Sequence, residues 1–223
     1  MRSDGRGRPR LEQSRRPGKT AREEILDAAA ELFTTNGYSN TSTRAIADAV
    51  GMRQASLYHH FGTKDDILDA LVAGTVDAPL ILAADLLAEA TPAAPRLHLL
   101  VASDVTQLCG SHWNLGALYL LPELRVERFD GFRARRAQLR SHYRDLARRV
   151  IAECDGPVDA DDLPFRLVES VINLRSDDTV CPPDEPWVIA DGALRCLGWT
   201  GDLAALRQGT ADRLLSAPVN VSA

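Results

Sequence analysis

Short polar, amide and cationic side chains are concentrated between residues 43 and 64, at spacings that suit contact with a nucleic acid. The Gln54 amide can pair with an adenine edge through two hydrogen bonds, and the Ala55 methyl group can touch a thymine methyl. The Arg44 guanidinium can reach a guanine edge. Hydroxyl and ammonium groups nearby can hold phosphate oxygens, which position a protein on a duplex. This segment therefore offers both base-reading and phosphate-binding groups.

Motifs that carry catalytic chemistry are missing from the sequence. It has no glycine-rich phosphate loop, no GxSxG, no HExxH and no Cys–His pair in a nucleophile context. His112 lies near Cys109, but this pair is most simply explained as core packing. Four widely spaced cysteines without a CxxC pair predict reduced, structural thiols and neither a metal nor a cofactor; they are Cys109, Cys154, Cys181 and Cys196. We therefore expect a protein that is not an enzyme.

Three helices, one longer and two short, are predicted to position the polar cluster. Thr20 can cap the first helix, and Glu23, three residues later, can close a capping box. Leu57 and Phe61 share one apolar face of the third helix and are predicted to be core residues. Two short helices separated by a glycine turn and supported by a longer helix make a helix-turn-helix. The first helix is predicted over about 21–36, the second between the cap cluster 41–43 and Gly51, and the third over about 53–60.

This segment resembles the DNA-binding head of TetR-family transcriptional regulators. The resemblance covers about residues 20–71, a quarter of the chain, as an ordered series without a gap. It implies an all-α fold, with an N-terminal three-helix helix-turn-helix head on a larger helical ligand-binding and dimerisation domain. The matching runs are Ala29-x-x-Leu32-Phe33, Gly37-Tyr38, Ser42-Thr43-Arg44-Ala45-Ile46-Ala47, Val50-Gly51-Met52, Ser56-Leu57-Tyr58-His59-His60-Phe61, Lys64 and Ile67-Leu68.

The resemblance also assigns roles to single residues of the head. His59 and His60 stand where the family often has an aromatic residue or histidine, and both a structural and a phosphate-binding role remain open for His60. Arg53 departs from the small capping residue that is common there, so it is either a phosphate or base contact or a solvated side chain. The positions that usually hold phosphates correspond to Thr43, Ser56, Tyr58 and Lys64. With Arg44, Gln54 and Ala55, these residues form the predicted DNA-binding set.

A basic amino-terminal arm precedes the head. Residues 1–64 hold eleven Lys and Arg against seven Asp and Glu, although the whole chain has a net charge of −5. Residues 1–19 are predicted to be a flexible arm in which Arg6 and Arg8 resemble the Arg-Gly-Arg-Pro core of an AT-hook. Insertion into an A·T minor groove, nonspecific phosphate attraction and simple disorder all remain open.

The rest of the chain reads as helical almost throughout. We expect the helix-turn-helix domain over 20–66 and a ligand-binding and dimerisation domain over 67–223. Pro79 should end or kink the connecting helix, and the longest helix should run from Pro122 to Glu153 with an arginine face that is either ion-paired or a nucleic-acid surface. No apolar run approaches the roughly 20 residues of a membrane span, so we expect a cytoplasmic protein.

Dimerisation and ligand response follow from the resemblance. In the family, the helix pair that corresponds to about 161–175 and 185–197 joins its twin in a four-helix bundle, and a dimer would read a palindromic operator; the alternative is that these faces pack within one monomer. A small-molecule effector of unknown identity is expected between the middle helices. Its candidate contacts are His98, Gln107, His112, Trp113, Asn114, Tyr119, Phe129 and Phe132.

These patterns together predict a ligand-responsive repressor that binds double-stranded DNA as a homodimer. An activator or a ligand-independent regulator with the same head is an alternative. A helical adaptor or an enzyme would belong to a different class, and the polar cluster at residues 43–64 favours neither of them.

Overall fold

Helices joined by short turns and 3-10 segments make up the part of the chain that the structure describes, residues 16–178 and 180–216. The structure is a computed structural model. No strand occurs within these residues, which confirms the predicted all-α class. The helices are α1 Ala21–Thr35, α2 Thr43–Val50, α3 Gln54–Tyr58, α4 Lys64–Ala88, α5 Ala93–Gly110, α6 Asp130–Cys154, α7 Leu163–Asp178, α8 Glu185–Cys196 and α9 Leu203–Ser216.

Local caps fix the helices of the head. The Thr20 hydroxyl accepts from the Glu23 N–H while the Glu23 carboxylate accepts from the Thr20 N–H, so the predicted capping box is present. Ser42 caps α2, and Gly51 ends it in the left-handed region with φ 75°, where a Cβ atom would add strain. Ile46 and Leu57 are fully buried between the helices. The turn between α2 and α3 thereby sets the two short helices at a fixed angle.

The connecting helix α4 runs through Pro79 without a break. Proline has no N–H and leaves the carbonyl four residues earlier, that of Thr75, without its helical donor. The Gln107 side chain on α5 supplies a donor there: its Nε2 lies 3.3 Å from the Thr75 oxygen and 3.1 Å from the Gly74 oxygen. Pro79 itself is buried against the neighbouring helices. The helix therefore continues because a distant side chain replaces the missing hydrogen bond.

The helix predicted from Pro122 to Glu153 begins later, at Asp130. Residues 111–129 form a bridging segment with three 3-10 helices, Leu115–Leu120, Pro122–Arg125 and Glu127–Phe129. The buried Arg175 guanidinium holds its start by donating to the Leu108 and Ser111 carbonyls, both at 2.6 Å. These are among the carbonyls that the end of α5 leaves without helical partners. The bridging segment consequently leaves α5 along one defined path.

Charged side chains tie the outer helices of the body together. The His98 ring on α5 is 2.7 Å from the Thr210 hydroxyl and 3.0 Å from Asp191, and Arg207 also donates to Asp191. Burial lowers the pKa of His98, against the opposing effect of Asp191. This buried cluster joins α5, α8 and α9. Helix α9 is therefore held to the body by buried hydrogen bonds.

The arginine face of α6 is largely ion-paired, but mainly with other helices. Arg135 pairs with Asp77 of α4 at 3.2 Å, and Arg140 pairs with Asp162 at 2.6 Å through two of its nitrogens. Only Arg133 and Arg148 pair with acids three residues away in their own part of the chain. The prediction of an ion-paired face is therefore confirmed, and most of the acidic partners lie outside α6.

Two sequence expectations need correction. Helix α4 is long and apolar enough to cross a membrane by length and composition alone, although Asp69 and Asp77 interrupt its apolar residues. Its inner face is buried in the core of the described structure. All four cysteines are free, but Cys196 is exposed and not a buried structural thiol. Burial and a hydrogen bond with Cys181 raise the pKa of Cys109 to about 12.

Candidate functional site

The outer face of α3 presents a row of polar side chains to solvent. Arg53, Gln54 and Ala55 are exposed, and Tyr58 is 47% exposed, whereas Leu57 on the opposite side is fully buried. Arg53 caps the helix with its backbone alone, since its side chain makes no capping hydrogen bond. The buried Leu57 anchors the helix and leaves its first turn free to approach a groove.

A hydrogen-bonded cluster joins the beginning of α2 to α3. The Gln54 Nε2 donates to the Thr43 hydroxyl oxygen at 2.9 Å, and the Tyr58 hydroxyl lies 3.1 Å from the same oxygen. One N–H and the carbonyl oxygen of Gln54 remain, which are the two groups that pair with adenine N7 and N6. The cluster therefore fixes the Gln54 side chain while leaving one N–H and the carbonyl oxygen available for further hydrogen bonds.

Lys64 is held by the loop before α2. Its ammonium donates to the Tyr38 carbonyl at 2.8 Å and the Thr41 carbonyl at 2.9 Å, and it lies 4.1 Å from the centre of the Tyr38 ring. An ammonium group has three N–H donors, so one is left for a phosphate. Lys64 thus has a structural role in the loop that its sequence position did not reveal.

The other predicted head residues are placed less specifically. The Arg44 side chain is 80% exposed and only loosely paired with Asp48, at 3.8 Å. His59 and His60 are exposed beyond the end of α3, and Ser56 is half-buried on it. Arg6 and Arg8 lie outside the described residues. All the described members of the predicted DNA-binding set belong to α2, α3, the turns on either side of α3 or the first residue of α4.

Arg16 is a functional candidate that sequence reasoning placed in the flexible arm. Its guanidinium donates to Asp27 at 2.9 Å and to Glu31, and its Nε donates to the Ala49 carbonyl at 3.4 Å. It therefore joins α1 to α2. An arginine among many in a polar tail gave no sequence signal for this contact.

Three polar contacts connect the head to the body through or beside the bridging segment. The Trp113 indole N–H donates to Asp27 of α1 at 3.1 Å, the Ser39 hydroxyl donates to Glu123 at 2.7 Å, and Arg128 pairs with Asp66. The hydrogen bond from Ser39 lowers the pKa of Glu123. These partners are separated by up to 86 residues, so no local pattern predicted them.

The bridging segment also lines a cavity of about 630 Å³ beside α6 and α7. Its apolar wall includes Tyr119, Leu124, Phe132 and Ile172, and guanidinium groups of α6 face it. This volume lies within the range of about 300 to 1,000 Å³ that is typical of small-molecule sites. Behind it, a cavity of about 20 Å³ reaches Asp104 and has room for one water molecule.

Only two of the eight candidate ligand contacts line this large cavity, Tyr119 and Phe132. His98 is enclosed in the cluster with Asp191, and Gln107 completes the hydrogen bonding of α4. Four others lie outside the lining: Trp113 contacts the head, Asn114 donates to the Ile172 carbonyl, His112 is exposed and Phe129 is buried in the core. Five of the six arginines in the lining belong to the predicted arginine face of residues 122–153, and helical periodicity does not distinguish a face in solvent from one that lines a cavity.

No group of three or more histidine, cysteine or acidic residues within the described ranges is arranged to hold a metal ion.

Comparisons with known proteins relate both the head and the whole fold to one family of proteins. Residues 25–71 match the model of the bacterial regulatory proteins, tetR family. The crystal structure of Mycobacterium smegmatis AmtR is 72% identical, with a TM-score of 0.89, over 92% of this chain and 100% of that chain.

Two curated proteins are more distant. The transcriptional repressor KstR2 of Rhodococcus jostii is 35% identical over 96 residues, which are 43% of this chain and 47% of that protein. The chain thus aligns with less than half the length of this relative. The fatty acid metabolism regulator protein of Bacillus subtilis is 26% identical over 86% of this chain and 93% of its own length.

Proposed function

This chain belongs to the TetR family of bacterial transcriptional regulators, and on that premise we propose that it is a homodimeric, effector-controlled repressor of a palindromic operator. It is a DNA-binding regulator. The observation that carries the proposal is the exposed first turn of α3, where Thr43 holds the Gln54 amide and leaves its base-pairing atoms available. A regulator of this kind works in the cytoplasm, where its DNA is.

Exposed apolar side chains support a homodimer formed through α7 and α8. Val171 and Leu194 point into the monomer core, whereas Leu163 is 43% exposed and Val188 is 49% exposed on the same two helices. Apolar surface of this kind is a common feature of interfaces between copies of a chain. Two heads related by a two-fold axis would place their α3 helices in successive major grooves, about 34–36 Å apart.

The bridging segment supports a response to an effector. It lines the cavity through Gly116 and Tyr119, and it contacts the head through Trp113 and Glu123. A ligand that binds better to one arrangement of this segment shifts the population toward that arrangement of the heads. The DNA-competent state is then the one with the empty cavity, which is the behaviour of an inducible repressor.

Fluorescence anisotropy with DNA from immediately upstream of the coding sequence tests this function. We expect saturable binding that survives random competitor DNA, with two protomers per site, and weaker binding at the higher of two salt concentrations. Arg44→Ala and Tyr58→Phe should weaken this binding, while Arg149→Gln, an exposed arginine of α6, should not. If neither head substitution had an effect, a helical adaptor would be the better description.

A further inference from the structure

The cavity beside α6 is lined by more cationic than anionic side chains, although part of its wall is apolar. Glu169 is the one carboxylate in the lining itself. Three more carboxylates, those of Asp130, Asp161 and Asp162, lie outside the lining and pair with its arginines. Six guanidinium groups therefore face four carboxylates, and the site keeps an excess of positive charge. The lining arginines are Arg125, Arg133, Arg136, Arg140, Arg144 and Arg166.

Arg136 is the best positioned of these cations. Its guanidinium carbon lies 5.6 Å from the centre of the Tyr119 ring and 5.3 Å from that of Phe165, so two aromatic faces hold the group in place. One terminal nitrogen donates to Glu169, while its Nε is buried and has no hydrogen-bond partner. A buried donor without a partner is costly. The accessible part of the side chain, which is 31% exposed, faces the cavity and can donate to a ligand there.

We propose that this cavity binds an organic anion, in which a carboxylate, sulfonate or phosphate group sits on a compact apolar body. Arg136 holds the anionic group, in competition with Glu169, and the apolar body packs on Leu124, Phe132 and Ile172. The inference rests on the proposed function, because it names the chemical class of the effector. A neutral or cationic effector would leave the excess guanidinium charge of the lining uncompensated.

Two dyes of nearly the same shape test the charge preference. 1-Anilinonaphthalene-8-sulfonate carries an anionic group on two apolar ring systems, and N-phenyl-1-naphthylamine has the same rings without the sulfonate. We expect one sulfonate dye per protomer, bound at least about tenfold more tightly than the neutral dye, because a hydrogen bond between charged groups contributes that much. Fluorescence titration of the full-length folded protein measures both affinities.

Substitutions of opposite sign separate this site from general dye binding. Arg136→Gln should weaken the sulfonate dye by about tenfold and leave the neutral dye unchanged, while Glu169→Gln should strengthen the sulfonate dye several-fold. Partial unfolding also increases binding of this dye, so Glu169→Gln must keep an unchanged cooperative urea-unfolding transition and a stoichiometry of one dye per protomer. Arg149→Gln, on the same helix but outside the lining, is the matched control. Equal affinity for the two dyes, an unchanged affinity in Arg136→Gln, or absence of saturable sulfonate binding would each overturn the proposal.

A DNA titration without dye keeps the two proposals apart. Arg136→Gln should bind the upstream DNA as the unchanged protein does, because Arg136 lies in the body and contacts no head residue in the described part of the chain. If the dyes behaved as expected while neither protein bound DNA selectively, the anion site would stand and the repressor function would fail. Selective DNA binding without the dye preference would give the reverse conclusion.

Discussion

Replacement of Asp104 by asparagine should remove most of a pH dependence from the stability of the body. Asp104 is buried on α5, where its carboxylate accepts a hydrogen bond from the Tyr143 hydroxyl at 2.9 Å. Burial raises the pKa of Asp104 from 3.8 to about 7, against the hydrogen bond from Tyr143 and with a smaller contribution from Glu169. The folded protein therefore holds this proton more tightly than the unfolded chain does.

The sign and size of the effect follow from that difference. The stabilisation is fully present below pH 3.8 and is lost as the pH rises through about 7. At 1.36 kcal/mol per unit, the whole shift corresponds to about 4 kcal/mol, of which roughly 2 to 3 kcal/mol falls between pH 5 and pH 8. Asparagine cannot ionise, and any cost of its unpaired N–H groups, about 1 to 3 kcal/mol, is the same at both pH values.

Urea unfolding followed by circular dichroism at pH 5 and pH 8, at one protein concentration, measures this difference. Relative to the unchanged protein, Asp104→Asn should gain roughly 2 to 3 kcal/mol in its free energy of unfolding at pH 8 compared with pH 5. The titration of His98 is common to both proteins and cancels. Asp85→Asn, an exposed position on α4, should give no such gain. Parallel pH profiles for Asp104→Asn and the unchanged protein would refute the reasoning.

Four further changes test the head and one close backbone approach. Gln54→Ala should reduce the preference for the correct base by about 1 to 3 kcal/mol in anisotropy titrations, and an equal loss on random DNA would contradict base reading. Lys64→Met should lower the salt-dependence slope by about one and the free energy of unfolding by about 1 to 3 kcal/mol, because two carbonyls lose their donor; an unchanged slope would leave only the structural role. Gly156→Ala should destabilise by several kcal/mol in urea unfolding, since a Cβ there would lie 2.0 Å from the Leu197 carbonyl oxygen. Gly74→Ala, which has open space around it, should stabilise by up to about 1 kcal/mol, and equal effects at the two glycines would contradict the steric argument.

The head was predictable because its determinants are local. The capping box at Thr20 and the left-handed glycine at position 51 each act within a few residues, and periodicity identified Leu57 as a core residue. The same information placed the polar residues around Gln54 on one short helix. It could not tell that Thr43 holds that side chain, because the contact depends on the angle between two helices.

The body was less predictable because its decisive contacts join distant residues. Pro79 predicted a break in α4, but Gln107 replaces the missing donor from another helix. The residues from Pro122 onward have helical spacing, yet Glu123 and Arg128 leave that helix to contact the head. The cavity lining was likewise hidden, since an arginine such as Arg136 has the same sequence pattern whether it faces water or a ligand.

Because α4 is unbroken, a rotation of its body end would be transmitted along the helix to the head. Its 25 residues begin in the head at Lys64 and extend about 37 Å into the body at 1.5 Å per residue. A rotation of about 5° at the body end would move the other end by about 3 Å, close to the 3.4 Å rise of one base pair. The Gln107 hydrogen bonds preserve the helix at Pro79, where a hinge would otherwise absorb this rotation.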